Sequence, residues 1–438
     1  MLALESTADS VYCAPAVGGG SPWAFGRSNT LLLRKTPMRR VLPRLSIWLL
    51  SCQVLFGAAN AASAQRSLDA MLGPYLARYE LPALAAAVVV DGKVIAVGAV
   101  GTRKAGVKIA VTVDDRFHLG SDTKAMTALL AGMFVEAGKL RWNSTIADVF
   151  PELAEQMDPA LRGVTLEQLL SHTSGIPSDN DAFQDLLKQS LSEDGNLDEL
   201  RYWLIQQWGK QPLASKPGTA FAYANMNYVI AGAMVERVGG RTWEELITQR
   251  VFTPLALRSA GLGPQAMLGK IDAPLGHEVI NGKAKAFLAG PNGDNPPILG
   301  PAGTAHMSVL DFARWAGWHA GQGKHGPQLV KQETLKKLHM PVIAMPEKKD
   351  AAPGTPARGK YGLGWAELPV DWGPEPLLYH GGSNTKNLAH IWLEPQRDFA
   401  MVLVTNVGGP KANEALLGLA PELYAKFAVS KVGGKAKR

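Results

Sequence analysis

Two apolar, β-branched runs around one tight turn most constrain what this chain can fold into. Leu84-Ala85-Ala86-Ala87-Val88-Val89-Val90 leads into Asp91-Gly92, and Lys93-Val94-Ile95-Ala96-Val97-Gly98-Ala99-Val100 leads out. Asp-Gly between such runs is a strong short-range hairpin signal, because both central positions need positive φ. Comparable runs return only near the other end, at Leu363-Gly364-Trp365, Leu377–His380, Leu388–Leu393 and Phe399–Val404, the last two joined by a turn at Pro395–Asp398. Strands at both ends with helical patterns between them predict an α+β fold. One antiparallel sheet of five or more strands is sewn from the two ends, is flanked by helices and carries a central helical insert. The expected parts are residues 65–120 and 301–429 for the sheet domain and 121–300 for the insert.

Ser67 to Tyr79 has helical spacing, with Leu68, Met71, Leu72 and Tyr75 on one side. Val164–Leu170 reads as a helix capped by Thr165, and 181–250 as mostly helical, with Thr242 and Glu245 in the capping-box pattern. Ser308 to Trp318 and Lys411 to Val429 are further helices. Gly and Pro puncture 281–303, which reads as loop, as does 348–360.

A leader-like segment points outside the cytosol. Met38-Arg39-Arg40-Val41-Leu42-Pro43-Arg44, the apolar Leu45–Gly57 and Ala62-Ser63-Ala64 form a secretory leader over 38–64, with cleavage expected after Ala64 and a periplasmic or secreted product. The apolar stretch is too short and interrupted for a stable membrane span. Residues 1–37 fit neither a leader nor a domain, and translation is expected to start at Met38. Both cysteines, Cys13 and Cys52, precede Gln65, which excludes a disulfide framework or thiol chemistry downstream. Leu50-Ser51-Cys52 is a weaker lipoprotein-type signal, because the apolar segment continues past it. The net charge of +7 sits at the ends: residues 1–64 hold six Lys/Arg and two acids, and the basic tail 430–438 holds four more cations, leaving the body at −1. No basic stripe for nucleic acid is present.

Phe117-His118-Leu119-Gly120-Ser121-Asp122-Thr123-Lys124 runs into the Ala/Leu/Met-rich stretch 125–134. That composition predicts a buried helix with Ser121 in its first turn and Lys124 on the same face. A serine hydroxyl needs a neighbouring base, and a lysine serves only when neutral. Moving a lysine from about 10.4 to about 7.5 costs roughly 4 kcal/mol, so the site must be built for it. The spacing alone also fits a capping serine and a solvated lysine, and Ser383-Asn384-Thr385-Lys386 repeats it with no helix behind.

Two further stretches accompany it. Tyr223-Ala224-Asn225 precedes an apolar helical run, where Tyr223 and Asn225 face a cleft or serve as a half-buried aromatic and an N-cap. Tyr379-His380-Gly381-Gly382-Ser383 is a strand end followed by two glycines, which mark close approach of a ligand or another backbone. Together, Ser-x-x-Lys, Tyr-x-Asn and His-Gly-Gly in this order resemble the serine β-lactamase and penicillin-binding superfamily, in particular its class C β-lactamase-like branch of carboxypeptidases, esterases and related hydrolases. Leu169–Pro177 and Pro301-Ala302-Gly303-Thr304 resemble further segments of that branch, and the likeness runs from about 68 to about 427.

The resemblance implies a β-lactamase/transpeptidase-like fold and an acyl-enzyme mechanism without cofactor or metal. It makes Ser121 the nucleophile, Lys124 the group that eases its deprotonation, and Tyr223 the proton carrier to the leaving group. Asn225 would hold Lys124 or a substrate amide. The N–H groups of Ser121 and Ser383 would form the oxyanion hole, with His380, Gly381 and Gly382 as the rest of the third motif. The family's β-lactamases carry Lys-Thr-Gly there, which grips a substrate carboxylate. Here His380-Gly381 replaces both side chains, so the clamp is weakened unless Lys386 or Asn384 takes over. The substrate expected is an ester, an amide or a D-amino-acid peptide. A β-lactamase proper and a non-catalytic peptidoglycan- or penicillin-binding protein on the same fold are the alternatives. The chain has neither a Gly-x-Ser-x-Gly elbow nor a His-Glu-x-x-His zinc motif among its nine histidines.

Overall fold

The computed structural model describes residues 65–290, 293–349 and 356–428. The expected extension 1–37, the leader 38–64, the tail 430–438 and the middle of the 348–360 loop fall outside them.

The two apolar runs form the strands Ala83–Val90 and Lys93–Gly101, joined through Asp91 at φ 50° and Gly92 at φ 69°. These left-handed values give a connection whose twist matches that of the paired strands. Ala83–Val90 pairs on its other side with Phe399–Thr405, which pairs with Leu388–Glu394, which pairs with Leu377–Ser383. Ala366–Leu368, Lys360–Tyr361 and Ile343–Ala344 extend that edge. Arg66–Ser67 adds a short parallel strand at the other, making nine. The α+β reading holds, with the middle of the sheet built from both chain ends.

Alternate residues of Ala83–Val90 enter two different cores. Ala83, Ala85, Ala87 and Val89 join Ala400, Val402 and Val404 against Phe312, Trp315 and Ala316 of the helix Val309–Ala320. Leu84, Ala86, Val88 and Val90 join Phe399, Met401 and Leu403 against Leu416, Leu419 and Leu423 of the helix Pro410–Phe427. Leu68 and Leu72, at the start of the helix Asp69–Arg78, pack on the same face. A strand covered on both faces has no solvent side for polar alternation, hence the unbroken apolar run.

Two sequence expectations need correction. Leu363–Trp365 is not a strand but the connection between Lys360–Tyr361 and Ala366–Leu368. Gly364 there has φ 81°, which turns the chain between the two short strands, and lies where a Cβ would meet Ala125 at 2.8 Å. Residues 281–303 are also more ordered than a loop. His277–Ile280 and Lys283–Ala286 pair around Asn281-Gly282, and Pro297–Leu299 and Gly300–Gly303 form helical turns. Asn-Gly is itself a hairpin signal, and the flanking strands are too short and polar for periodicity to mark them.

The central helices Thr123–Glu136 and Asn225–Gly239 pack together and are buried on most of their surface. Thr165 forms the full capping box with Gln168, and the Thr242 hydroxyl accepts the Glu245 N–H. Fully buried Arg201 pairs with Glu236 and Glu244 and donates to the Ile298 carbonyl at 3.0 Å. That network braces the segment entering Pro301-Ala302. Among the described residues no helix is long and apolar enough to cross a membrane.

Candidate active site

Ser121 sits in a single 3-10 turn, Gly120–Asp122, that runs straight into Thr123–Glu136. Backbone crowding fixes the turn. Gly120 has φ 50°, and a Cβ there would lie 2.3 Å from the Ser383 nitrogen. The Thr123 hydroxyl donates to the Gly120 carbonyl at 2.6 Å and accepts the Ala305 N–H at 3.0 Å. The Gly120 N–H donates to His118 Nδ1 at 3.0 Å, and His118 Nε2 lies 2.8 Å from Asp294 Oδ1. Asn384 Nδ2 reaches the same Asp294 oxygen at 2.8 Å, so one carboxylate ties the Ser121 turn to the third motif.

Lys124 is completely buried. Its Nζ lies 3.0 Å from Ser121 Oγ, 2.7 Å from Asn225 Oδ1 and 2.7 Å from the Ala302 carbonyl oxygen. Burial lowers its pKa to about 7, although Asp179 and Asp122 favour the ammonium. Neutral amine and ammonium are therefore both populated near neutrality.

The half-buried Tyr223 stands over this group, its ring centroid 4.8 Å from Lys124 Nζ and its hydroxyl bonded to Ser121. Burial pushes its pKa above that of ordinary tyrosine. His172 packs against it at 4.3 Å between centroids and is held by Asn227 Nδ2 and the Ala224 N–H. Asn225 opens its helix, and Asp179 accepts both its backbone N–H, at 2.8 Å, and its Nδ2, at 2.5 Å.

The third motif lies inside the strand Leu377–Ser383, which continues through both glycines instead of ending before them. The ladder pairs Gly381 with His390 and Gly382 with Ala389. A Cβ on Gly382 would lie 1.9 Å from the Leu119 carbonyl and 2.7 Å from the Ser121 nitrogen, so glycine is what lets the strand reach the Ser121 turn. A Cβ on Gly381 would strike the Tyr379 hydroxyl at 2.4 Å. The closeness expected at these glycines is therefore one of backbone to backbone and backbone to ring.

His380 is buried and turns inward. Its Nε2 meets the Tyr361 hydroxyl at 3.0 Å, and its Nδ1 lies 3.4 Å from Asp122 Oδ1. Burial first, then the Lys124 charge, lowers its pKa to about 3. It is a neutral ring and supplies no cation. Lys386 does not replace one, because it pairs with Glu278 at 3.0 Å, and the Asn384 amide is committed to Asp294.

Ser121, Asn225, Ser383 and Asn384 line a cavity of about 350 Å³ together with Asp179, Gln184, Leu187, Leu191 and Leu299. Tyr223, His380 and Gly381 line a second, aromatic cavity of about 390 Å³ with Phe221, Tyr379 and Trp392. The structure thus brings Lys124, Tyr223, Asn225, Gly382 and Ser383 up to Ser121, whereas His380 and Gly381 line the second cavity. Sequence reading missed Asp179, Asp122, His172, the Ala302 carbonyl and the His118–Asp294 pair. His172 and Ala302 lie within segments singled out for their family likeness, and Asp122 adjoins the nucleophile. Asp179 and Asp294 lie in irregular chain and left no periodic trace.

Residues 68–424 match the model of the family described as Beta-lactamase. Among curated proteins, the chain is 28% identical over 333 residues to penicillin-binding protein 4 of Amycolatopsis lactamdurans, spanning 75% of this chain and 82% of that one. It is 23% identical over 363 residues to protein flp of Staphylococcus aureus, covering 80% of this chain and 66% of flp. Among solved structures, the octameric penicillin-binding protein homologue from Pyrococcus abyssi superposes with a TM-score of 0.64 at 23% identity, over 81% of this chain and 76% of that one. The D-stereospecific amidohydrolase from Streptomyces sp. superposes with a TM-score of 0.60 at 20% identity, over 79% and 94%. With the first two motifs at helix starts, the third on a sheet sewn from both chain ends, and the family's model matched over nearly all the described residues, the chain belongs to the beta-lactamase family.

Proposed function

We propose that this chain is an exported serine hydrolase that cleaves an ester or amide through an acyl-enzyme on Ser121. The observation that carries this reading is the 3.0 Å contact between Ser121 Oγ and the Nζ of a buried lysine held near neutrality. Neutral Lys124 takes the hydroxyl proton while Asn225 Oδ1 and the Ala302 carbonyl hold its amine in place. Oγ then bonds to the substrate carbonyl carbon. The N–H groups of Ser121 and Ser383 receive the developing oxyanion, brought together by the close approach of Gly382 to the nucleophile turn. The proton passes from Lys124 through the Tyr223 hydroxyl to the leaving alcohol or amine, and the carbon–heteroatom bond breaks. Water repeats the sequence on the acyl-enzyme and frees the acid. Tyr223 enters as a phenol, because burial keeps its proton on. His380, Gly381 and Asp179 shape the site without taking the proton.

Intact mass of the protein lacking residues 1–64, after incubation with p-nitrophenyl butyrate, benzylpenicillin and a D-Ala-D-Ala peptide, tests this directly. Ester turnover with little penicillin adduct, both lost in Ser121→Ala, is the expected result. A stable penicillin adduct on Ser121 would assign cell-wall peptide chemistry instead, and absence of any adduct or turnover would overturn the catalytic reading.

A further inference from the structure

Asp179 gives the cavity beside Ser121 a charge opposite to the one a carboxylate clamp would supply. Its carboxylate accepts two hydrogen bonds from Asn225, at 2.8 Å and 2.5 Å, and lines the cavity that opens on Ser121, Asn225 and Ser383. Asp179 is exposed, and a carboxylate has about four acceptor sites, so capacity remains on the cavity side.

The nearby cations are committed. Lys124 is spent on Ser121, Asn225 and Ala302. Lys386 is held by Glu278. Lys188 lines the same cavity but pairs with Asp185 at 3.1 Å with its side chain 75% exposed, so that pair cancels. A substrate carboxylate entering this cavity would meet Asp179 and no uncommitted cation among the described residues. The remaining wall is apolar, built from Leu187, Leu191 and Leu299.

We propose that this cavity selects acyl donors carrying a free α-ammonium group and an apolar side chain, with Asp179 as the specificity-determining residue that receives the ammonium. This deepens the acyl-transfer reading and rests on it for the placement of the scissile carbonyl at Ser121. The ammonium sits one atom from that carbonyl, where Asp179, through Asn225, reaches the same side of the nucleophile. The apolar side chain then lies along the leucines. N-acylated substrates lose the charge, and substrates carrying a carboxylate on this side meet repulsion.

The test uses a matched pair, phenylalaninamide in each enantiomer and 3-phenylpropanamide, which differ only in the amino group. Binding is measured by calorimetry at a pH where the amine is protonated, to the Ser121→Ala protein and to the same protein carrying Asp179→Asn, with thermal melts confirming that both are folded. Ser121→Ala should bind one enantiomer of phenylalaninamide at least about tenfold tighter than 3-phenylpropanamide, the scale of one charge-assisted hydrogen bond in a partly solvated site. Asp179→Asn should bring that ratio close to one. Equal binding of the two amides, or a ratio unmoved by Asp179→Asn, overturns the proposal. Because binding needs no turnover, the two readings fail separately: an amine preference in a protein whose unsubstituted form neither turns over nor is acylated by phenylalanine p-nitroanilide, p-nitrophenyl butyrate or benzylpenicillin would sink the catalytic reading and leave the ammonium-binding role of Asp179 standing.

Discussion

The Lys124 ammonium lies 2.7 Å from the carbonyl oxygen of Ala302, a backbone acceptor supplied from 178 residues along the chain. A backbone acceptor neither titrates nor rotates away. It holds the amine beside Ser121 whether or not the amine carries its extra proton.

Replacing the nucleophile or its base should separate chemistry from binding. Ser121→Ala should abolish ester turnover and labelling by a fluorophosphonate. Lys124→Met should lower kcat about 10²–10⁴-fold, the usual contribution of a positioned base, with KM little changed. Steady-state kinetics with p-nitrophenyl butyrate reads both.

The acid limb of the pH profile should report Lys124. Burial depresses its pKa below the ordinary amine value, and the active form is the neutral amine, so kcat/KM should be low in acid, rise through about pH 7 and level off. Asp179 favours the ammonium, so Asp179→Asn should move that midpoint to lower pH. His380, lowered to about 3, and Tyr223, pushed upward, titrate away from this limb. A midpoint unmoved in Asp179→Asn would show that the carboxylate does not act on Lys124.

Asp122 offers a second reading of the same limb. It is 1% exposed, neither of its carboxylate oxygens finds a hydrogen-bond partner among the described residues, and burial raises its pKa well above the usual carboxylate range. Its charge favours the Lys124 ammonium, so Asp122→Asn should move the midpoint to lower pH. An unmoved midpoint would show that Asp122 keeps its proton across this limb.

Gly382→Ala should damage catalysis more than folding. Its methyl group would press on the Leu119 carbonyl and the Ser121 nitrogen and part the strand from the nucleophile turn. Loss of one oxyanion donor lowers kcat about 10²–10³-fold, and kinetics read beside a thermal melt would distinguish that from unfolding.

Arg201→Met should cost about 3–5 kcal/mol of stability, because it leaves the buried Glu236 without its partner. Urea denaturation measures the loss directly.

What the sequence made legible follows from how each element earns its place. Ala83–Val90 announced itself because both its faces are buried, and Thr123–Glu136 because nearly every residue of it is. Ser121, Lys124, Tyr223 and Asn225 were visible because short spacings tie them to helix starts. Local spacing carries no sign of a partner reached through irregular chain. Asp179 caps Asn225 from 46 residues away, and Asp294 meets Asn384 from 90. Leu363–Trp365 looked like a strand because an apolar triplet in a tight connection has the same composition, and only Gly364 at positive φ betrayed it.

The pairing of Ala83–Val90 with Phe399–Thr405 has a consequence in time. During synthesis the first hairpin waits, one apolar edge open, until more than nine-tenths of the chain exists. The nucleophile turn waits equally for Gly382 and Ser383. A nascent or truncated chain lacking its last strands has no closed sheet and, on the proposed mechanism, no second oxyanion donor, so the proposed hydrolysis waits for the whole chain, and the unpaired edge marks it for whatever captures extended apolar strands.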